Sequence, residues 1–531
     1  MHHRPVMFVA SGAAALGLLI AGAAGASTPN SAAPLARAAS ASSTLVIDTA
    51  FDLATADPGR MFEFTGQIVD RAIYSTLLTY SNDNLVVQPQ LATGYGLSSG
   101  GDRYTFTLNP KAVFSDGTPV TAADVVFSFK RLQNLQGNPS FLLNGITVSA
   151  QGTNKVVLST KAPNAAIPEI VTNPALGVLE ASVVEAHGGT DAANAATTDK
   201  AENWLNTHSA GSGPYEMSAW NLNGPVKLTA NPHYWLAKPK YQSVMIQNAQ
   251  PEQQKLDVET GSAQLALDLS PSQAQGITGA KVANLASTFT VYTSLNTDPA
   301  ISPATANPKI REAIRDAINY SALVHLAGSG AEQAASLIPG GFAGSLPASD
   351  DLKQNIAEAK LLVAQSGVKN PAVTIGFADD DPVNGLQLGD VAALLQANLQ
   401  AVGIQVKLLG QPVTTATELR RAGKAQMIVN YWGPDYPDAN DYLPFVPGGE
   451  IAEQVHWSAS DAPTILATAN EAATASSESR HNALWQQAMK AINASGPIIP
   501  LIQPAQVLVT ADSISTAYSN PAWRIDVASV K

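Results

Sequence analysis

The sequence predicts a mixed α/β protein with more than one hydrophobic core, on three observations. The chain has 531 residues, well beyond the ~250–300 at which single cores stop growing. Strand-like alternation occurs, as in RYTFTLNP, where Tyr104, Phe106 and Leu108 share one face. From residue 350 to 410 the pattern runs helix, strand, helix, strand, which is the order of an α/β layer. No repeat period is visible.

Along the chain, the first residues read as a signal rather than as fold. MHHRP is basic, VMFVASGAAALGLLIAGAAGA is apolar, and Ala24-Gly25-Ala26 is a small-x-small site. A secretory signal peptide over 1–26 is expected, followed by a flexible low-complexity leader over 27–43. Leu45 and Ile47 mark the first strand. After RYTFTLNP, Asp116-Gly117 predicts a turn and Thr121-x-x-Asp124 a capping box opening a helix through Val125 and Leu132. Asn307 and Pro308 predict the N-cap and first turn of a helix with Ile310, Ala313, Ile314 and Ala317 inward. A second helix is expected from an Asp350 cap to a Gly367 stop, with Leu352, Ile356, Ala359 and Val363 inward. AVTIGFA then reads as a strand, GDVAALLQANLQAVG as a helix stopped by Gly403, and IQVKLL as a strand.

Composition narrows the function classes. Charged residues are 14% of the chain and the net charge is −12, the opposite of the basic footprint that nucleic acid requires. Cysteine is absent, which excludes disulfides, thiolate catalysis and cysteine metal sites. His187, His208, His233, His325, His456 and His481 show no i, i+4 pairing and are expected at the surface or at caps. No nucleophile elbow, Walker loop or dinucleotide fingerprint occurs. Neither catalytic residues, nor metal ligands, nor a cofactor are therefore expected.

One stretch is unusual. NYWGPDYPDANDYL, Asn430 to Leu443, holds four aromatics, two prolines and three aspartates in fourteen residues. It fits a metal cage, a pair of catalytic carboxylates, or an aromatic pocket with a counter-ion for a cationic ligand. Calcium loops need alternating oxygens and a distal Glu, and glycosidases need two facing carboxylates; little else in the chain supports either. Asp438 and Asp441 are expected to cap turns.

Several segments, in order, resemble the solute-binding proteins of peptide-type ABC importers, the dipeptide- and oligopeptide-binding family (family 5). These are IYSTLLTY, then FSDGTPVTAADV, then GSGPYEMSAWNLNGPVKLTANPHYW, then PKIREAIRDAINYSALV with AEAKLLVAQSG, and finally GPIIPLIQPAQVLV. The similarity spans residue 44 to the end.

The resemblance implies a two-lobed periplasmic-binding-protein fold of the cluster C type, with two hinge strands and an extra domain in the N-terminal half. It implies lobe I over 44–73, 191–285 and 491–531, the extra domain II over 74–190, and lobe III over 286–490. It places Asp435, three residues after Trp432, at the site that receives a peptide's α-ammonium. Trp432 would wall the cleft, Tyr431 and Tyr436 would be wall or core, and Phe62 and Phe64 of GRMFEFTG would line the opposite side. Arg420 would meet a peptide carboxylate, unless Arg421 points inward instead. Departures are Ala23 where a lipid-bearing cysteine would sit, Val429 where some members have Arg, and Gln264 in place of an acid. The implied protein is an exported, non-enzymatic, monomeric receptor that takes a short peptide to an ABC permease. A nickel chelate, opine or oligosaccharide as ligand, or a signalling partner instead of a permease, are the alternatives.

Overall fold

The computed structural model describes residues 43–531 except Asp52 and Asn223, so the expected signal peptide and nearly all of the leader lie outside the described residues. Among the described residues no helix is long and apolar enough to cross a membrane.

The strand Thr44–Thr49 lies inside a seven-stranded sheet, parallel to Ser243–Asn248 on one side and Leu265–Ala266 on the other. Leu45 and Ile47 enter one core and Val46 another, the latter with Val258 of the helix Pro251–Thr260. Burial on both faces explains why TLVI is continuously apolar instead of alternating. Gln264 accepts a hydrogen bond from the Val46 amide at 2.8 Å, so the replaced acid still leaves a local bond.

A six-stranded sheet forms the second centre, in the order Glu332–Gln333, Ile498–Gln503, Thr290–Leu295, Met427–Trp432, Ala372–Ala378, Gln405–Gln411. Its parallel pair, Ala372–Ala378 with Gln405–Gln411, is joined through the helix Leu388–Gln400, as the alternating pattern predicts. A four-stranded antiparallel sheet, Ala92 to Ser159, carries a third core under the helix Ala122–Leu135. Tyr104, Phe106 and Leu108 all face that core.

Helix starts follow their local signals in two cases. Thr121 and Asp124 form the capping box, and the Asn307 side chain accepts from the Lys309 amide at 2.9 Å. The third expectation needs correcting. Asp350 ends a short 3₁₀ turn, and the helix Ile356–Gln365 begins at Asn355, whose side chain accepts from the Glu358 amide at 3.1 Å.

The chain passes between the two large sheets twice. Ala280–Ala286 and Ala505–Ala511 pair in the seven-stranded sheet, while Thr290–Leu295 and Ile498–Gln503 pair in the six-stranded one. The connections are Ser287–Phe289 and Pro504 alone, which are the two crossings of a two-lobed fold. The second crossing falls after the division expected at residue 491.

One buried ionic network braces the loop ahead of the helix Phe64–Ile73. Arg131, fully buried, donates to both oxygens of Asp57 at 2.7 and 2.6 Å and to both oxygens of Asp199 at 2.8 and 2.9 Å. Both carboxylates are buried, so the guanidinium neutralises charge that would otherwise be stranded.

Candidate functional site between the lobes

The strand Met427–Trp432 ends where the two lobes face each other. Neighbouring strand residues project to opposite faces of a sheet, and its last two do so here. Tyr431 packs edge-on to Phe289, with centroids 5.6 Å apart, and its hydroxyl donates to Asp381 at 3.0 Å. Trp432 packs edge-on to Phe445 at 5.3 Å on the other side. The strand end thus divides the cleft into two spaces.

Gly433 follows because nothing larger fits. A Cβ there would lie 2.4 Å from the Phe289 ring. Past Pro434 the chain turns through Asp435, Tyr436 and Pro437. Asp438 then caps the 3₁₀ helix Ala439–Phe445 by accepting from the Asn440 amide at 2.8 Å, the expected cap role.

Asp441 departs from the expectation of a turn cap. Buried in that 3₁₀ helix, its Oδ2 accepts from the Trp432 indole Nε1 and from the Asp435 amide, each at 3.1 Å. It therefore sets both the indole and the backbone that carries Asp435. The three aspartates do not converge on one point and build no metal cage, although the carboxyls of Asp435 and Asp441 meet through a hydrogen bond.

Asp435 lines both spaces. The first, of about 250 Å³, is walled by Phe62, Phe64, Phe289, Tyr431 and Arg524 together with Asp435. The second, of about 450 Å³, is walled by Trp432, Tyr436, Phe141 and Ile170 among others. Both walls draw on residues far apart in sequence, the smaller on 62–67, 431–435 and 521–524, the larger on 141–170 of the four-stranded domain and 432–450. Asn173 Nδ2 also donates to the Asp435 carbonyl at 2.8 Å, across 262 residues of sequence.

Burial pushes the Asp435 carboxyl up to about 7, against a hydrogen bond with Asp441 that pulls the other way. Burial, then the charge of Asp435, holds Asp441 well above the usual carboxylate range. Among the described residues, no basic side chain contributes to the Asp435 environment. Desolvation without a compensating cation favours the protonated carboxyl.

Phe62 and Phe64 reach the cleft because they flank Glu63, the extended N-cap of the helix Phe64–Ile73. Residues i and i+2 of extended chain face the same way. The Glu63 carboxylate folds back onto the amides of Phe62 and Ala54 at 2.8 and 2.9 Å, which holds the loop. Tyr436 packs against the core of the four-stranded domain as well as lining the cleft, so it is wall and core together.

Arg420 is not brought to these walls. Its Nη1 donates to Gln454 at 2.6 Å, and it lines neither space; Arg421 is exposed. Sequence reasoning missed Asp441, Asn173, Phe289 and Arg524. Asp441 had a signal, since it shares the stretch with Trp432, whereas the other three are distant in sequence and had none. His481, expected at the surface or a cap, is buried, with Nδ1 2.9 Å from the Ala472 carbonyl and Nε2 3.4 Å from Asp438. It lines a third space of about 230 Å³ with Glu169, whose carboxyl burial and then Asp438 push up to about 8.

The chain is similar to proteins of known family. It is 27% identical over 418 residues to the probable D,D-dipeptide-binding periplasmic protein DdpA of Escherichia coli (strain K12), covering 76% of this chain and 77% of that one. It is 25% identical to the probable di/tripeptide-binding protein 5 of Pseudomonas aeruginosa (strain UCBPP-PA14), covering 86% and 89%. The ABC transporter substrate binding protein CtaP from Listeria monocytogenes has the same fold, with a TM-score of 0.80, 17% identity, and coverage of 92% of this chain and 98% of that one. The family model for the bacterial extracellular solute-binding proteins, family 5, matches residues 86–452, and with that span, the two crossings and the cleft between the lobes, the chain belongs to this family.

Proposed function

We propose that the protein captures short peptides between its lobes, holds their α-ammonium on Asp435, and delivers them to the permease of an ABC importer outside the cytoplasm. It acts as a receptor and not as an enzyme. The observation that carries this reading is the Asp435 carboxyl, desolvated in the cleft, shared by two ligand-sized spaces and met by no basic side chain among the described residues. Tyr431, Trp432 and Tyr436 line the same spaces, and aromatic faces attract an ammonium further. The relatives named for dipeptides and di/tripeptides support the same ligand class.

Truncating one partner of a buried charged pair costs about 2–5 kcal/mol. Asp435→Asn should therefore weaken peptide binding about thirty-fold or more in titration calorimetry. N-acetylating the peptide should harm the wild type comparably and the mutant little further, because both changes remove one interaction. Asp438→Asn is the control with a small effect. Equal binding of free and acetylated peptides by wild type and Asp435→Asn would refute the ammonium site.

A further inference from the structure

We infer that Arg524, and not Arg420, receives the ligand's carboxylate, so that the space of about 250 Å³ between Asp435 and Arg524 selects short zwitterionic peptides. The inference rests on the ammonium role of Asp435 proposed above and adds the other end of the ligand.

Four observations meet at this residue. Arg524 lines the same space as Asp435, and its ion pair is with Asp268 and not with Asp435. A ligand with one charge at each end would bridge Arg524 and Asp435. The guanidinium is held in place: it pairs with Asp268 and lies over the Phe64 ring, 4.8 Å from the centroid. Asp268 spreads its own charge by also accepting from the Ala50 amide at 2.7 Å and from Gln254 at 3.0 Å.

Donor capacity is left over. A guanidinium has five N–H donors in a fixed fork, and the bond of Nη1 to Asp268 uses one of them. Finally, Arg524 has φ +64°, a left-handed backbone that side-chain-bearing residues seldom adopt. Such strain persists where surrounding structure enforces it, and it gathers at ligand sites. Here the turn between Ser519–Asn520 and Arg524–Ile525 supplies that enforcement through their antiparallel pairing.

The geometry also bears on length. Both charge receptors border the smaller space, while the larger one opens on the far side of Trp432. The main chain of the peptide would therefore span the smaller space, which limits it to a few residues.

The test compares three equimolar libraries of di- and tripeptides: free, C-terminally amidated and N-acetylated. Each is presented to wild type, Arg524→Gln and Asp435→Asn, with retained peptides read by native mass spectrometry and the best one titrated. Wild type should prefer the free peptide over its amide by about thirty-fold, as expected for removing one partner of a desolvated pair. In Arg524→Gln the free peptide should weaken to the level of the amide, while the penalty for N-acetylation stays. Should Arg524→Gln fail to fold, Arg524→Lys keeps a cation beside Asp268 and should narrow the free-to-amide ratio without abolishing it. An unchanged free-to-amide ratio in the variant that folds overturns the assignment and leaves the Asp435 reading standing. If N-acetylation costs wild type nothing, or no peptide of the free library is retained, the Asp435 reading falls and this one falls with it.

Discussion

A carboxyl held up to about 7 by burial makes ligand capture pH-dependent, and the sign follows from which state carries the charge. Below about 7 the free site holds a proton that an incoming ammonium must displace. Affinity should then fall up to tenfold for each unit of acidification. Above about 8 the peptide's own α-amino group, with an ordinary value of ~7.7–8.0, loses its proton and affinity falls again. Peptide binding should thus peak between about 7 and 8. Calorimetry in buffers of different ionisation enthalpy should register proton release on the acid side. In Asp435→Asn the acid limb should flatten while the alkaline limb stays, because only the ligand still titrates. An acid limb that survives the substitution would move its origin to another group, with Asp441 the first to examine, since it shares the same hydrogen-bonded environment.

At the scale of elements, the site depends on how its loops are braced. The loop that presents Phe62 and Phe64 is anchored at Asp57 by Arg131, which ties it to the helix Ala122–Leu135 and to Asp199. Arg131→Met would strand two buried carboxylates, leaving them Arg60 at 3.3 and 3.2 Å. The loss should be about 3–5 kcal/mol in denaturant unfolding, with peptide affinity falling as the loop loosens. The same scale explains what was legible in the sequence. Asn307-Pro308 and Thr121-x-x-Asp124 are local devices, and both work where they stand. The start at Asn355 was hidden because Asp350 is an equally good local cap. A tertiary bond goes with the choice, the Asn355 amide donating to the Asp316 carbonyl at 2.7 Å. The site shows the same split. Tyr431 through Tyr436 could be read in one stretch because a strand end and its turn supply them. Arg524, Phe289 and Asn173 could not, because Arg524 follows the second crossing, Phe289 ends the first, and Asn173 comes from beside the core of the four-stranded domain. Arg420 was misplaced for the converse reason, since its closeness in sequence to Trp432 does not carry it across the sheet to the same wall.

On the scale of the whole molecule, two connections, Ser287–Phe289 and Pro504, join the large sheets, so the lobes can turn about a narrow waist. A ligand favours closure only through contacts that exist in the closed state. The Asn173–Asp435 bond adds a protein contact across the cleft without being a charge site, because its acceptor is the Asp435 carbonyl. Asn173 also has a local role, since its Oδ1 accepts from the Ala175 amide at 2.9 Å and caps the 3₁₀ turn Pro174–Leu176. Asn173→Ser keeps a capping oxygen but is too short to reach across the cleft, so it separates the two roles. One neutral hydrogen bond contributes about 1 kcal/mol net, and peptide affinity should weaken about five-fold. The free-to-acetylated and free-to-amide ratios should stay as in wild type, since neither charge receptor has changed. Small-angle scattering should show a more open average for the unliganded variant and the wild-type radius at saturating peptide. At a hundred times Kd, ligand should still add about 2.7 kcal/mol to the stability of either protein and raise its melting temperature. If the variant bound peptide as tightly as wild type with no change in its unliganded radius, the Asn173 contact would be incidental to closure. The waist would then have to be held closed by apolar docking alone, of which Tyr436 against the four-stranded domain and Phe64 against Phe289 are the instances to remove next.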